Sequence, residues 1–208
     1  MKPTREELLN DDAYRKVEEL IHDEIADFVM KNLQDQNLFT LTFKFFSLAF
    51  AATMGAQLYL QWNGWETVVG ILIGALTLFT AGILVHELLH LLAYAVQGAR
   101  KLSIVPKWKQ GAVVAAADGF VLGRKGFYLL AMTPFAVLTT AGVAGLLITD
   151  GWLFFAILSF LMFHTFACIG DFTMAGFFYR NRHRQLYTFD DMEEGKSYFF
   201  EKEEVPAA

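Results

Sequence analysis

The sequence predicts an all-α integral membrane protein: four transmembrane helices in two hairpins, a cytosolic N-terminal helical segment, and a short β-hairpin in the central cytosolic loop. Three observations lead there. Of 208 residues, 55% are hydrophobic and 15% aromatic, with 21 Phe, against a soluble average of about 45–50% apolar. Four apolar runs, at 38–62, 68–96, 127–149 and 152–179, are each long enough to cross ~30 Å of hydrocarbon, which takes ~20 helical residues. Lys and Arg gather in the two tails and one central loop, while the links at 63–67 and 150–151 have none.

Residues 1–36 read as a soluble segment. Leu8, Leu9, Val17, Leu20, Ile21, Ile25, Phe28 and Val29 recur at helical spacing among acids and lysines, which predicts one or two amphipathic helices. His22 in this segment reads as a surface residue rather than a ligand. The membrane domain is 37–180. Its first run has Lys44 near the start, where a long stem can snorkel to the headgroups. The third run holds Pro134, a kink signal. The short links make runs one and two, and runs three and four, helical hairpins. By the asymmetry of Lys and Arg, both termini and the central loop 98–126 are expected in the cytosol of a multi-pass cell-membrane protein. In that loop, 102–105 and 112–122 carry β-branched and small residues broken by Gly111, Asp118-Gly119 and Gly123. This predicts one or two short strands or a hairpin, with an irregular loop as the alternative. The tail 181–208 is acidic and aromatic and reads as a cytosolic appendage, with Tyr198, Phe199 and Phe200 available to dock on the body.

Net charge is −5 and the single cysteine is Cys168, inside an apolar run. No basic face marks a nucleic-acid binder. There is no disulfide framework and no cysteine zinc site. The N-terminus lacks the charged-then-apolar pattern of a cleaved targeting peptide.

The second run carries His86-Glu87-Leu88-Leu89-His90. On a helix, positions i and i+4 share a face ~6 Å apart along the axis. His86 and His90 can therefore present two imidazoles to one metal ion, and Glu87 can reach a water beside it. This is the His-Glu-x-x-His pattern of zinc metallopeptidases. Neutral imidazoles hold zinc without cancelling its charge, and the carboxylate acts as proton acceptor. Ionisable groups inside a membrane helix cost ~2–3 kcal/mol each, which weighs against an idle role.

A His-Glu-x-x-His helix in a membrane bundle, followed by an aspartate on a later helix, resembles the site-2 protease group of intramembrane metalloproteases. It resembles more closely a family of small membrane proteins known as putative zincin peptidases, in which the later motif is a short Gly-Asp, as in Ile169-Gly170-Asp171-Phe172. The resemblance covers roughly residues 80–180. It implies one zinc ion held by His86, His90 and Asp171, with Glu87 as catalytic base. The Asn and Pro that the site-2 group places around its aspartate are missing here. Thr133, Thr165 and Thr173 are polar candidates in their stead, each also able to bond its own helix backbone.

A depth count bears on the third ligand. At ~1.5 Å per residue, His86 and His90 lie roughly 27 and 33 Å along their helix from residue 68. On a straight fourth helix, Asp171 lies at roughly 28 Å from residue 152 and His164 at roughly 18 Å. Asp171 is thus the expected ligand, and His164 a cleft-lining or core histidine.

The reading is a zinc-dependent membrane endopeptidase. It acts near the cytosolic face on membrane-associated or partly unfolded protein or peptide substrates, in contact with the lipid bilayer. A β-edge in the central loop would hold such a substrate extended. A metal-ion transporter or sensor, or an inactive scaffold on the same ligands, is the alternative. A transporter wants a polar path on both sides, and the outer halves of the runs offer little beyond Gln57, Gln61 and Thr77.

Overall fold

A computed structural model describes residues 2–107 and 112–203. The break expected at Gly111 and the Val-Pro-Ala-Ala terminus lie outside the described residues.

The chain opens with α1 (Arg5–Asn10), closed by a capping box between Thr4 and Glu7. Next come β1 (Tyr14–Ile21), a short 3₁₀ turn and α2 (Ile25–Leu33). The membrane-length helices follow. Asn37 caps α3 (Leu38–Leu60) by accepting the N–H groups of Phe39 and Thr40 at 3.0 and 3.2 Å. Helix α4 (Trp65–Thr77) runs through a five-residue π-turn, Leu78–Gly82, into α5 (Ile83–Val96). Strands β2 (Leu102–Lys107), β3 (Ala112–Ala117) and β4 (Leu122–Gly123) lead to α6 (Arg124–Leu146). Helices α7 (Gly151–Ala167) and α8 (Ile169–Arg180) come next, and β5 (Leu186–Asp191) and β6 (Lys196–Lys202) close the described chain.

Three helical stretches are long and apolar enough to cross a membrane: Leu38–Leu60, Trp65–Val96 and Arg124–Leu146. Helices α7 and α8 add a fourth if taken as one span, but they meet at a 45° bend. The straight fourth helix expected from the sequence is therefore two helices. Cys168, at the joint, has ψ near 5° rather than a helical value.

The membrane helices pack by close backbone approach. A Cβ on Gly70 or Gly74 would run into the carbonyl oxygens of Trp152 and Ala156, so α4 and α7 touch along a small-x-x-x-small seam. Ser159 donates to the Ile71 carbonyl at 2.8 Å across the same seam.

The protein is not all-α. Four strands form an antiparallel sheet in the order β1-β6-β5-β4, and β2 and β3 form a separate hairpin, as expected in the central loop. The N-terminal segment, expected as helix throughout, is a strand from Tyr14 to Ile21. A bulge explains the error. The β1–β6 register shifts between Lys16 and Glu18, so Val17 and Leu20, which both face the core, stand three apart as they would on a helix. The tail after Gln185 is likewise built into the sheet, with Phe199 and Phe200 buried. Because β1, β4, β5 and β6 share one sheet, the N-terminal segment, the central loop and the C-terminal segment lie at one end of the bundle. Tyr94, Phe127, Phe178, Leu186 and Phe199 form one core cluster that joins that sheet to α5, α6 and α8.

Candidate metal centre

Helix α5 carries His86, Glu87 and His90, each with no more than 9% of its surface exposed. The π-turn ends just before α5. Such insertions shift the helical register and are frequent at functional sites. Gly82, its last residue, lies where a Cβ would strike the ring of Phe160.

The two imidazoles point their Nε2 atoms at one place, 3.0 Å apart. Asp171, in the first turn of α8, closes the group: Oδ2 is 3.3 Å from His86 Nε2 and Oδ1 is 3.4 Å from His90 Nε2. Zinc–nitrogen and zinc–oxygen bonds of ~2.0–2.1 Å in a tetrahedron place neighbouring ligand atoms ~3.3–3.4 Å apart. The spacing of these donors therefore fits one such ion. Their chemistry fits too, since two lone pairs and a carboxylate converging in a buried site repel each other unless a cation lies between them.

The far side of each ring is fixed. His90 Nδ1 donates to the Leu130 carbonyl at 3.0 Å. A carbonyl only accepts, so the proton sits on Nδ1 and Nε2 keeps its lone pair. The carbonyl is free because of Pro134. In a helix, the N–H of residue 134 would bond the carbonyl of residue 130, and proline has no N–H. Pro134, foreseen only as a kink, frees the acceptor that orients His90. His86 Nδ1 lies 3.2 Å from His164 Nε2. With His86 Nε2 turned to the ion, its Nδ1–H donates to His164. The His164 ring lies parallel to Phe160 and Phe135, with centroids 5.8 and 6.4 Å away, which locks its orientation. Its own Nδ1 is buried with no hydrogen-bond partner.

His164 therefore lines the site, one of its two expected places, but closer to His86 than the depth count put it. The count assumed a straight helix, and the bend at Cys168 removes that assumption. It lies behind His86, on the side away from Asp171. Cys168 Sγ stands 3.5 Å from His164 Nε2 and 3.9 Å from His86 Nδ1. These three atoms could also hold a soft metal, but such an ion would take His86 Nδ1 and leave the convergence of His90 and Asp171 unexplained. Thr133, Thr165 and Thr173 each donate to a carbonyl of their own helix.

Glu87 reaches a different element. Its Oε2 accepts the Ala115 N–H of β3 at 2.6 Å. That N–H therefore points away from β2, which fixes the outer edge of the hairpin against the motif helix. Cavities of about 230 and 190 Å³ flank the group, and His86 and Glu87 line both. The first also touches Asp171 and Ala115, the second His164 and Val113.

The family model described as "Putative zincin peptidase" matches residues 79–186, which takes in the motif helix, the β2–β3 hairpin, Pro134, His164 and Asp171. No curated protein and no solved structure matches the chain. On that match the chain belongs to the putative zincin peptidase family, a group of metallopeptidase type.

Proposed function

We propose that the protein is a zinc-dependent membrane endopeptidase that hydrolyses peptide bonds of membrane-associated or partly unfolded segments near the cytosolic face. The observation that carries this reading is the meeting of His86 Nε2, His90 Nε2 and the Asp171 carboxylate at 3.0–3.4 Å, beside the Glu87 carboxylate, which is held by the Ala115 N–H. His86, His90 and Asp171 would hold the ion. When bound, zinc supplies a Lewis acid that polarises the peptide carbonyl and acidifies a water.

Glu87 is the proton carrier. It takes a proton from the attacking water and delivers it to the leaving amine nitrogen as the C–N bond breaks. His164 and the Leu130 carbonyl hold the two imidazoles in one tautomer. Strand β3 lies alongside with its outer edge toward Glu87. A substrate strand added to that edge would accept the Ala115 N–H itself. That exchange would release Glu87 for its proton transfer at the moment a substrate is seated. The surrounding apolar helices limit the substrate to segments that can unfold and enter the bundle.

The test is Glu87→Gln in purified protein, with peptide hydrolysis and bound metal both measured. Hydrolysis should fall at least about a hundredfold, in line with loss of general-base help, while metal content stays at the wild-type level. A Gln variant that cleaves as fast as wild type refutes the mechanism.

A further inference from the structure

A further cavity lies away from the candidate metal centre. It measures about 560 Å³ and opens at the sheet end of the bundle, between the start of α6 and the turn after α8. Lys2, Arg124, Lys125, Arg182 and Arg184 line it, and no Asp or Glu among the described residues does. One of these cations is neutralised: Arg184 is paired with Glu201. The other four have no carboxylate partner among the described residues. Lys2 lies over the Phe120 ring at 3.6 Å. Arg124 donates to the Arg182 carbonyl, and Arg182 to the Tyr179 carbonyl at 3.3 Å. Those acceptors are neutral, so the positive charge stays uncompensated.

The same cavity receives the first turn of a 23-residue helix. Gly123, the residue before α6, offers no side chain to cap it, and the backbone from Gly123 to Gly126 lines the space. The orphan N–H groups and the positive end of the helix dipole add to the four cations. Self-repulsion among cations held in one concavity is relieved by an anion with several acceptor oxygens, and guanidinium groups match phosphate in fork geometry.

We propose that this cavity binds a phosphate group, as the headgroup of an anionic lipid or as a soluble phosphate. The inference does not depend on peptidase activity. It does bear on the motif helix, because Gln97, the residue after α5, lines the cavity and donates to the Gly126 carbonyl at 3.2 Å.

The experiment uses the full chain. Inorganic phosphate is titrated calorimetrically into detergent-solubilised protein at constant chloride. In parallel, lipid retention is read by native mass spectrometry from nanodiscs of phosphatidylcholine with and without phosphatidic acid. A Lys125→Glu, Arg182→Glu protein should bind at least about tenfold more weakly, as expected for lost charge-assisted contacts. A Lys101→Glu, Lys202→Glu protein carries the same charge change outside the cavity and should stay within about twofold. Lys125→Gln with Arg182→Gln is the milder pair if the first does not fold. Phosphatidic acid retained without inorganic phosphate binding identifies a lipid site, and the reverse a soluble-phosphate site; either supports the proposal. Equal weakening in both charge-changed proteins, or no phosphate bound from either source, overturns it.

Discussion

Replacing Pro134 with Ala should make the protein more stable and its metal weaker. Proline in a helix interior is ~3 kcal/mol less favourable than alanine, and α6 has Pro134 in the middle of its span. Alanine restores the N–H, which then donates to the Leu130 carbonyl. That oxygen now accepts His90 Nδ1 at 3.0 Å. A carbonyl has two lone pairs, so the histidine is weakened in its hold rather than expelled. Loss of an outer partner of a metal-binding histidine costs ~10–100-fold in affinity, and a shared acceptor places the expected loss near tenfold. The assay is a zinc competition titration against a chelator, paired with thermal unfolding in the same detergent. Opposite movements, a higher Tm for the metal-free protein and a weaker zinc Kd, identify the role. A variant that gains stability and binds zinc as tightly as wild type refutes it.

Two further outcomes follow from the fold and the charges. A reporter fused after Ala208 should appear on the cytosolic side, together with one placed in the central loop, and an outward signal from either overturns the proposed orientation. Glu201 has its carboxyl pulled down to about 2 from an ordinary 4.5, chiefly by its hydrogen bond to Arg184, which outweighs the upward push of burial, with a lesser pull from Arg15. A depressed folded value stabilises above the unfolded value and stops doing so as pH falls, so the sheet should lose stability as pH drops from about 4.5 toward 2. Arg184→Gln should flatten that acid limb in a Tm-against-pH series.

The candidate metal centre was legible because its spacing is short-range and chemical. His86, Glu87 and His90 lie within five residues, and the helix that aligns them follows from a long apolar run. Asp171 needed a resemblance and a depth count. His164 was expected as a cleft-lining or core histidine, but its contact with His86 was not foreseen, because the count treated 152–179 as straight and a bend at one residue is not written in composition. The sheet was missed for two different reasons. In β1 a bulge gives Val17 and Leu20 helical spacing, so the period is misleading. In the C-terminal segment the signal was present: the turn between β5 and β6 has Asp191 accepting the N–H groups of Glu193 and Glu194, and Gly195 at φ 67°. Acid-rich composition masked a hairpin buried on both faces, Leu186 and Phe199 against the helices and Phe189 and Phe200 against Leu8 and Val121. The role of Pro134 was readable in principle, since the freed carbonyl always lies four residues back, but which group uses it depends on the neighbouring helix.

Asp171 and His164 now make different demands of one measurement. Asp171 offers its oxygens to the point where the two Nε2 atoms meet, so Asp171→Ala removes a proposed ligand and its charge. Of the three proposed ligands His164 touches only His86, on its Nδ1 side, so its loss frees the ring to turn but removes no proposed ligand. His164→Phe is the sharper test, because phenylalanine keeps a flat ring between Phe135 and Phe160 and removes the acceptor Nε2 together with an Nδ1 that has no partner among the described residues. Zinc affinity should fall ~10–100-fold for His164→Phe, the range for outer partners, and further for Asp171→Ala. If His164→Phe lost the metal outright while Asp171→Ala kept it, the ion would have to sit on the other face of His86, among His164 and Cys168. The proposed centre would then be wrong, and Cys168→Ser would become the decisive variant.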